Sequence, residues 1–153
     1  MLAIYYVGDK MKKFSFQLES VMNFKNQRLD SKKAEHAKIV AMVNDQNDKI
    51  NNLLEKFKGV NHEFNAKKIA GIAIIDAMEY SGFLYKLEIE IQQAKRYLEE
   101  LKHKEELKRA EVVEIKVETS TLEKLKEKKL EVYNKEVQKS EELYIEEFVS
   151  RNL

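Results

Sequence analysis

Proline, cysteine and tryptophan are all missing from this chain of 153 residues, and glycine occurs only four times. A chain of this length with average usage would carry roughly seven or eight prolines, so little of the backbone is shaped for turns and long uninterrupted helices are the natural expectation. Without cysteine there is no disulfide framework, no thiolate zinc site and no thiol nucleophile, which fits a reducing compartment. Long apolar runs are lacking as well: no stretch approaches the ~18 residues that would suggest a membrane span. Aromatic residues make up 9% of the chain and charged ones 36%. That dilution leaves too few apolar side chains to enclose a wide core but enough to line a narrow seam.

An excess of charge of one sign is missing too. Lys and Arg number 28 against 27 for Asp and Glu, and they interleave, as in Leu122-Glu123-Lys124-Leu125-Lys126-Glu127-Lys128-Lys129. This is the pattern of a solvated helix face, whereas a phosphate-binding stripe needs a local surplus of basic residues; no nucleic-acid partner is expected. Met1 to Val7 is apolar but lacks the basic leader and small-residue cleavage pattern of a secretory signal. A second methionine opens Met11-Lys12-Lys13-Phe14. Residues 1–12 are therefore expected to be an N-terminal extension, disordered or frayed, with Met1 to Lys10 arising from an upstream start codon.

What the chain does have is periodicity. From Leu18 the steps alternate between four and three, running Leu18, Met22, Lys25, Leu29, Lys32, His36, Ile39, Val43, Gln46, Ile50, Leu53, Phe57, Val60, Phe64. That spacing turns one helix face toward a partner helix. The frame fails between Asn65 and Ala77, where Gly71 interrupts an isoleucine-rich run, and Gly59 is a second candidate break. Asp76-Ala77-Met78-Glu79 has the spacing of a capping box, with Ile75 and Tyr80 as its hydrophobic staple; a start near Ile72 is the alternative. A second seam follows through Tyr80, Leu84, Leu87, Ile91, Ala94, Leu98, Leu101, Glu105, Lys108, Val112, Ile115, Thr119 and Leu122. It continues past Leu122 with one extra four-residue step, through Lys126, Leu130, Tyr133, Val137, Tyr144 and Phe148, a stutter that locally unwinds a supercoil.

The expected architecture is all-α, a long antiparallel two-helix coiled-coil hairpin over residues 13–153. Helix 1 is placed at about 15–68, the tip at about 66–76 and helix 2 at about 74–149. Folding back near Gly71 sets Glu105 and Lys108 against the stretch holding Lys32 and His36, a polar layer that fixes register. Helix 2 then outruns helix 1 by ~20 residues at about 1.5 Å each, leaving Leu130, Tyr133, Val137, Leu143, Tyr144, Ile145 and Phe148 with no partner on helix 1. Tyr80, Phe83, Leu84, Tyr85 and Leu87 wrap most of the way round helix 2, and two compatible readings stand: packing against Ile69 to Ile75 and the end of helix 1, or a patch for a partner.

Catalytic chemistry has no foothold. His36, His62 and His103 are far apart and fit no zinc spacing, and no glycine-rich phosphate loop or serine nucleophile elbow exists. Carboxylate pairs such as Glu99-Glu100 and Glu146-Glu147 lack the concave, water-poor pocket that would separate their pKa values. No enzymatic activity, cofactor or metal is expected.

Two runs carry a family resemblance. The start Met11-Lys12-Lys13-Phe14-Ser15-Phe16-Gln17-Leu18-Glu19-Ser20-Val21-Met22 and the late run Leu122 to Tyr133, with Gly71-Ile72 and then Tyr80, Phe83 and Leu87 between them, resemble the flagellar export protein FliJ. The resemblance covers Met11 to the C-terminus and implies a component of the flagellar type III export apparatus, or of a related injectisome. It implies a stalk similar to the γ subunit of rotary ATP synthases, linking the ring of the export ATPase FliI to the export-gate protein FlhA and assisting export chaperones. It also implies a cytoplasmic protein held at the inner face of the inner membrane through these partners. The gate-facing surface carries over to Gln46, Ile50, Leu53 and Phe57 on helix 1 and to Phe83, Leu87 and Ala94 on helix 2. For the ATPase ring the candidates are Leu130, Tyr133, Val137, Tyr144 and Phe148. The alternative is a coiled-coil spacer or holdase-type chaperone that does not touch the ATPase.

Overall fold

A computed structural model of the protein describes residues 12–152; the proposed extension over residues 1–12 lies almost wholly outside them. Two helices account for nearly all of the described chain, α1 (Glu19–Ala70) and α2 (Ile74–Arg151), and there is no strand among the described residues. The helices pack against each other as a helical hairpin. Only residues 71–73 separate them. Gly71 makes the reversal possible, because it takes a φ of 99°, a left-handed conformation that a side chain would oppose and that commonly ends helices. Lys67 and Lys68 lie in the last turn of α1, where positive charge suits the exposed carbonyl end of the helix dipole. Gly59, the other candidate break, lies inside α1 without interrupting it.

The packing falls into two units, one built from residues 31–112 and the other from the described residues on either side of them. In the unit of residues 31–112, Leu87, Ile91, Ala94, Leu98 and Leu101 are buried at alternating steps of four and three, as the second seam predicts. Ile50 packs with Ala94 and Leu98, and Val43 and Leu53 close the edges. Gln46 occupies a seam position without orphaning its amide, since its Nε2 donates to the Ala94 carbonyl oxygen at 3.0 Å. The small Ala94 side chain leaves room for that reach, and a buried polar group so satisfied avoids its desolvation penalty.

Below this apolar stretch the expected polar layers meet. His36 Nε2 lies 2.6 Å from Glu105 Oε1. Lys32 reaches Glu111 at 3.1 Å and Lys108 reaches Glu35 at 2.9 Å. Each lysine also contacts the carboxylate on its own helix, both at 3.1 Å, so four charges close a box. Hydrogen bonds from Lys108 and then Lys32 hold the Glu35 carboxyl below its ordinary value. Lys32 and then Lys108 do the same for Glu111. The Lys108 ammonium is held well above its ordinary value, chiefly by Glu35 and then Glu111.

In the other unit, Phe16, Met22, Leu29 and Ile115 are buried. Thr119 is buried as well, its hydroxyl donating to the Ile115 carbonyl at 2.8 Å, the local bond that lets a threonine sit inside a helix. Lys25 pairs with Glu118, and Lys126 with Glu19 at 2.8 Å. Helix α1 begins at Glu19, later than the periodicity suggests, after a turn in which the Glu19 amide donates to the Phe16 carbonyl at 3.0 Å. Residues 12–16 are non-helical, and an extended chain advances about twice as far per residue as a helix. Phe14 thereby reaches Tyr133, the ring centroids 5.6 Å apart and the planes tilted by 52°. Tyr133 was expected to have no partner on helix 1, and its aromatic partner comes instead from the residues before α1.

The start of α2 also differs from its expected form. Asp76 lies within the first helical turn, and the Ala77 amide donates to the Ala73 carbonyl at 3.0 Å, so the helix is already under way when Asp76 is reached. Its carboxylate suits the positive end of the helix dipole without capping the helix. Ile75 is strongly exposed and forms no staple.

Candidate functional site

No cluster of His, Asp and Glu that could hold a metal ion occurs among the described residues, and the features that stand out are surfaces. The first lies near the reversal, in the unit of residues 31–112. Phe64 and Tyr80 stack with centroids 5.2 Å apart and planes 8° from parallel. The Tyr80 hydroxyl donates to Glu63 Oε1 at 2.8 Å and accepts from Lys67 Nζ at 2.7 Å, so the ring is tied to α1 by two hydrogen bonds at its hydroxyl. The Tyr80 hydroxyl first, and Lys67 second, hold the Glu63 carboxyl below its ordinary value. Lys56 sits 5.3 Å from the Phe83 ring centre and Lys68 4.3 Å from that of Phe64.

Outside this stack the surface is apolar to an unusual degree. Ile69 is 90% exposed, Ile74 79%, Ile75 72% and Met78 68%. Ile72 alone of the run turns partly inward. It joins Val60, Met78, Tyr80, Gly82 and Phe83 around an open groove edged by Lys67, Asp76 and Lys86. The aromatic cluster divides: Tyr80 packs against the end of α1 through Phe64, and Leu84 is half-buried, while Phe83 and Tyr85 are exposed and Ile69, Ile74 and Ile75 take no part in the packing.

The seven residues suggested for a gate divide sharply. Ile50, Leu87 and Ala94 are buried between α1 and α2, where another protein reaches them only if the helices part. Gln46, Leu53 and Phe57 are half-buried at the seam edges, and Phe83 is exposed. A face that meets a partner without opening the hairpin therefore contains Phe83 and the outer edges of Gln46, Leu53 and Phe57, with Ile50, Leu87 and Ala94 holding the backbone beneath them.

The second surface is the far part of α2, in the other unit. Tyr133 and Val137 are half-buried, and Leu130 is exposed beside them. From Glu141 to Asn152 every residue is exposed among the described residues, including the suggested Tyr144 and Phe148 together with Leu143, Ile145 and Val149. Apolar side chains interleave there with Glu141, Glu142, Glu146 and Glu147. An isolated helical end of this kind is marginally stable in water.

Two features escaped the sequence reading. Phe16 is buried although it precedes the helical repeat; the only available signal was its spacing from Phe14 in an otherwise polar start. The exposure of Ile69, Ile74 and Ile75 had no signal at all, because an isoleucine run reads as core until its surroundings are known.

Among known proteins, a family model described as "Flagellar FliJ protein" matches residues 14–153. No individual curated protein and no solved structure matches the chain significantly. No described helix is long and apolar enough to cross a membrane.

Proposed function

Because a match over nearly the whole chain makes this protein a member of the FliJ family, whose members take part in flagellar export as non-catalytic components, we propose that it works as a stalk-like adaptor between the export ATPase and the export gate. Its far α2 segment enters the ring of the ATPase FliI, and the face around Phe83 meets the gate protein FlhA. Export chaperones are handed on by the same rod, and the protein is held at the cytoplasmic face of the inner membrane through these partners.

The observation that carries this reading is the row of outward apolar side chains from Leu143 to Val149, on a helical end that no described residue covers. A ring lined with apolar groups would bury that row, and each fully buried large side chain contributes about 1.5–3 kcal/mol. Ring contact then reaches the nucleotide sites by mechanical docking, with rim charges steering encounter. Leu130, Tyr133 and Val137 form the shoulder of this segment and Tyr144 and Phe148 its free end.

Tyr144 and Phe148 lie outside the hairpin packing, so replacing both with Asp tests the reading without disturbing the seam. Wild-type protein is expected to stimulate turnover of purified FliI, and the double variant, with unchanged helicity, is expected to lose that stimulation. Full stimulation by the variant refutes docking through this segment. A wild-type chain that leaves turnover untouched favours a spacer or holdase role.

A further inference from the structure

Helix α2 carries a second apolar stripe that the hairpin does not use. Ile75, Met78, Gly82, Tyr85 and Ile89 follow steps of three and four, the spacing of a coiled-coil seam. All five are exposed, and at about 100° per residue they lie on the face of α2 opposite Leu84, Leu87 and Ile91. The stripe continues into a shallow depression formed by Tyr85, Glu88, Ile89, Gln92, Gln93 and Arg96, all from α2 itself. Gly82 is the middle residue of the five-residue stripe. A glycine inside a helix costs about 1 kcal/mol relative to alanine, and a Cβ added there would meet nothing within 4 Å. Close packing inside this chain therefore does not account for it, whereas close approach from outside would.

We propose that this face pairs with the same face of a second copy of the chain, the two α2 helices running antiparallel. The sequence is self-complementary in that arrangement. With a two-fold axis beside residues 83 and 84, Gly82 of each copy faces Tyr85 of the other, so the ring fills the space left by the missing side chain. Met78 then faces Ile89, and Ile75 faces Gln92. On the flank, Glu79 of each copy comes beside Lys86 of the other, giving two opposite-charge pairs by symmetry. A helix of another protein could match the apolar stripe, but both the size match and the charge match here come from one sequence read in two directions. The contact covers about 25 Å of helix, which is at the small end for protein association, so the dimer is weak and concentration-dependent.

Sedimentation equilibrium of the full chain from micromolar to several hundred micromolar tests this. The wild type is expected to show a reversible monomer–dimer equilibrium. Glu79→Lys and Lys86→Glu each replace two attractive pairs with two repulsive ones and are expected to weaken it roughly tenfold, equivalent to about 1.4 kcal/mol. An equimolar mixture of these two variants restores both pairs and is expected to dimerise at least as well as wild type. Gly82→Glu is expected to abolish the dimer while the helical circular dichroism stays unchanged, because nothing in the monomer contacts that position. A wild type that remains monomeric throughout overturns the proposal and leaves the face to a different molecule. Dimers indifferent to Gly82→Glu, or a mixture no tighter than its separate components, overturn it equally.

Discussion

Leu87 and Phe83 stand one helical turn apart on α2 and were both suggested for the same gate-facing surface, yet they should respond to alanine in opposite ways. Leu87 is 3% exposed and lies in the unbroken apolar run that ends at Leu101. Truncating it removes roughly three methylene equivalents from a buried site at about 0.8 kcal/mol each, or about 2.4 kcal/mol. Leucine-to-alanine changes span about 2–5 kcal/mol, and a seam between only two helices can collapse partly, which favours the lower half of that range. Phe83 is 40% exposed and the Lys56 ammonium lies 5.3 Å from its ring centre, a cation–π interaction of about 0.5–1 kcal/mol at exposed sites. Its partial burial contributes at least about 0.9 kcal/mol, so at the low end of both contributions Phe83→Ala should cost about 1.4 kcal/mol. Urea unfolding followed at 222 nm is expected to show Leu87→Ala as the more destabilised variant, by about 1 kcal/mol. Binding to the purified cytoplasmic domain of FlhA should show the reverse, with Phe83→Ala losing affinity while folded and Leu87→Ala binding normally once folding is ensured. Equal destabilisation by both substitutions would refute the assignment of Leu87 to the interior and Phe83 to the surface.

Two other responses follow from single positions. Gly71→Ala meets no steric neighbour but must hold a φ of 99°; about 1–2 kcal/mol of stability should be lost, seen as a lower urea midpoint, and an unchanged midpoint would show that the reversal does not depend on the left-handed residue. Glu35 and Glu111 have folded pKa values lowered from 4.5, so their contribution is complete above that value and disappears as pH falls through the lowered folded values; melting temperature should drop on acidification below about pH 4.5, and less steeply in Glu35→Gln/Glu111→Gln, with identical acid profiles counting against the charge box.

The hairpin was legible because a heptad pattern translates directly into contact. Apart from Leu18, every position read into the first seam is at least half-buried, and the second seam holds from Tyr80 to Leu122 without exception. Even the polar positions were placed correctly, since Lys32, His36, Glu105 and Lys108 interrupt both repeats at matching distances from Gly71. Legibility failed where local rules compete with packing. The capping-box spacing at Asp76 is real, but the three-residue connection that begins at Gly71 already starts the helix at Ile74. Phe14 and Phe16 were passed over because they precede the repeat, although extended chain can follow a helix as closely as another helix does. The candidate surface was legible in composition and not in orientation: a heptad frame names the inner face, and nothing in it distinguishes an edge residue such as Phe57 from a fully covered one such as Leu87.

The charge box raises the question of why a seam that could be apolar throughout is interrupted. Its side chains remain partly exposed, and ion pairs in such settings contribute little net stability. Its effect is larger on the alternatives. If α2 slipped by one heptad along α1, Lys108 would leave Glu35 and face the region of Leu29 or of Val43, depending on direction, and its ammonium would lie beside apolar side chains of α1 with Glu111 of its own helix as its remaining partner. Within the run from Leu87 to Leu101 the same slip brings leucine and isoleucine to equivalent positions, so the penalty there is chiefly the lost hydrogen bond from Gln46 to the Ala94 carbonyl. A charge stranded in a partly desolvated seam is far more costly than the pair is favourable. The apolar run therefore supplies the adhesion and the box supplies the alignment, and it is alignment that puts Tyr80 against Phe64 and sets Phe83 at the surface.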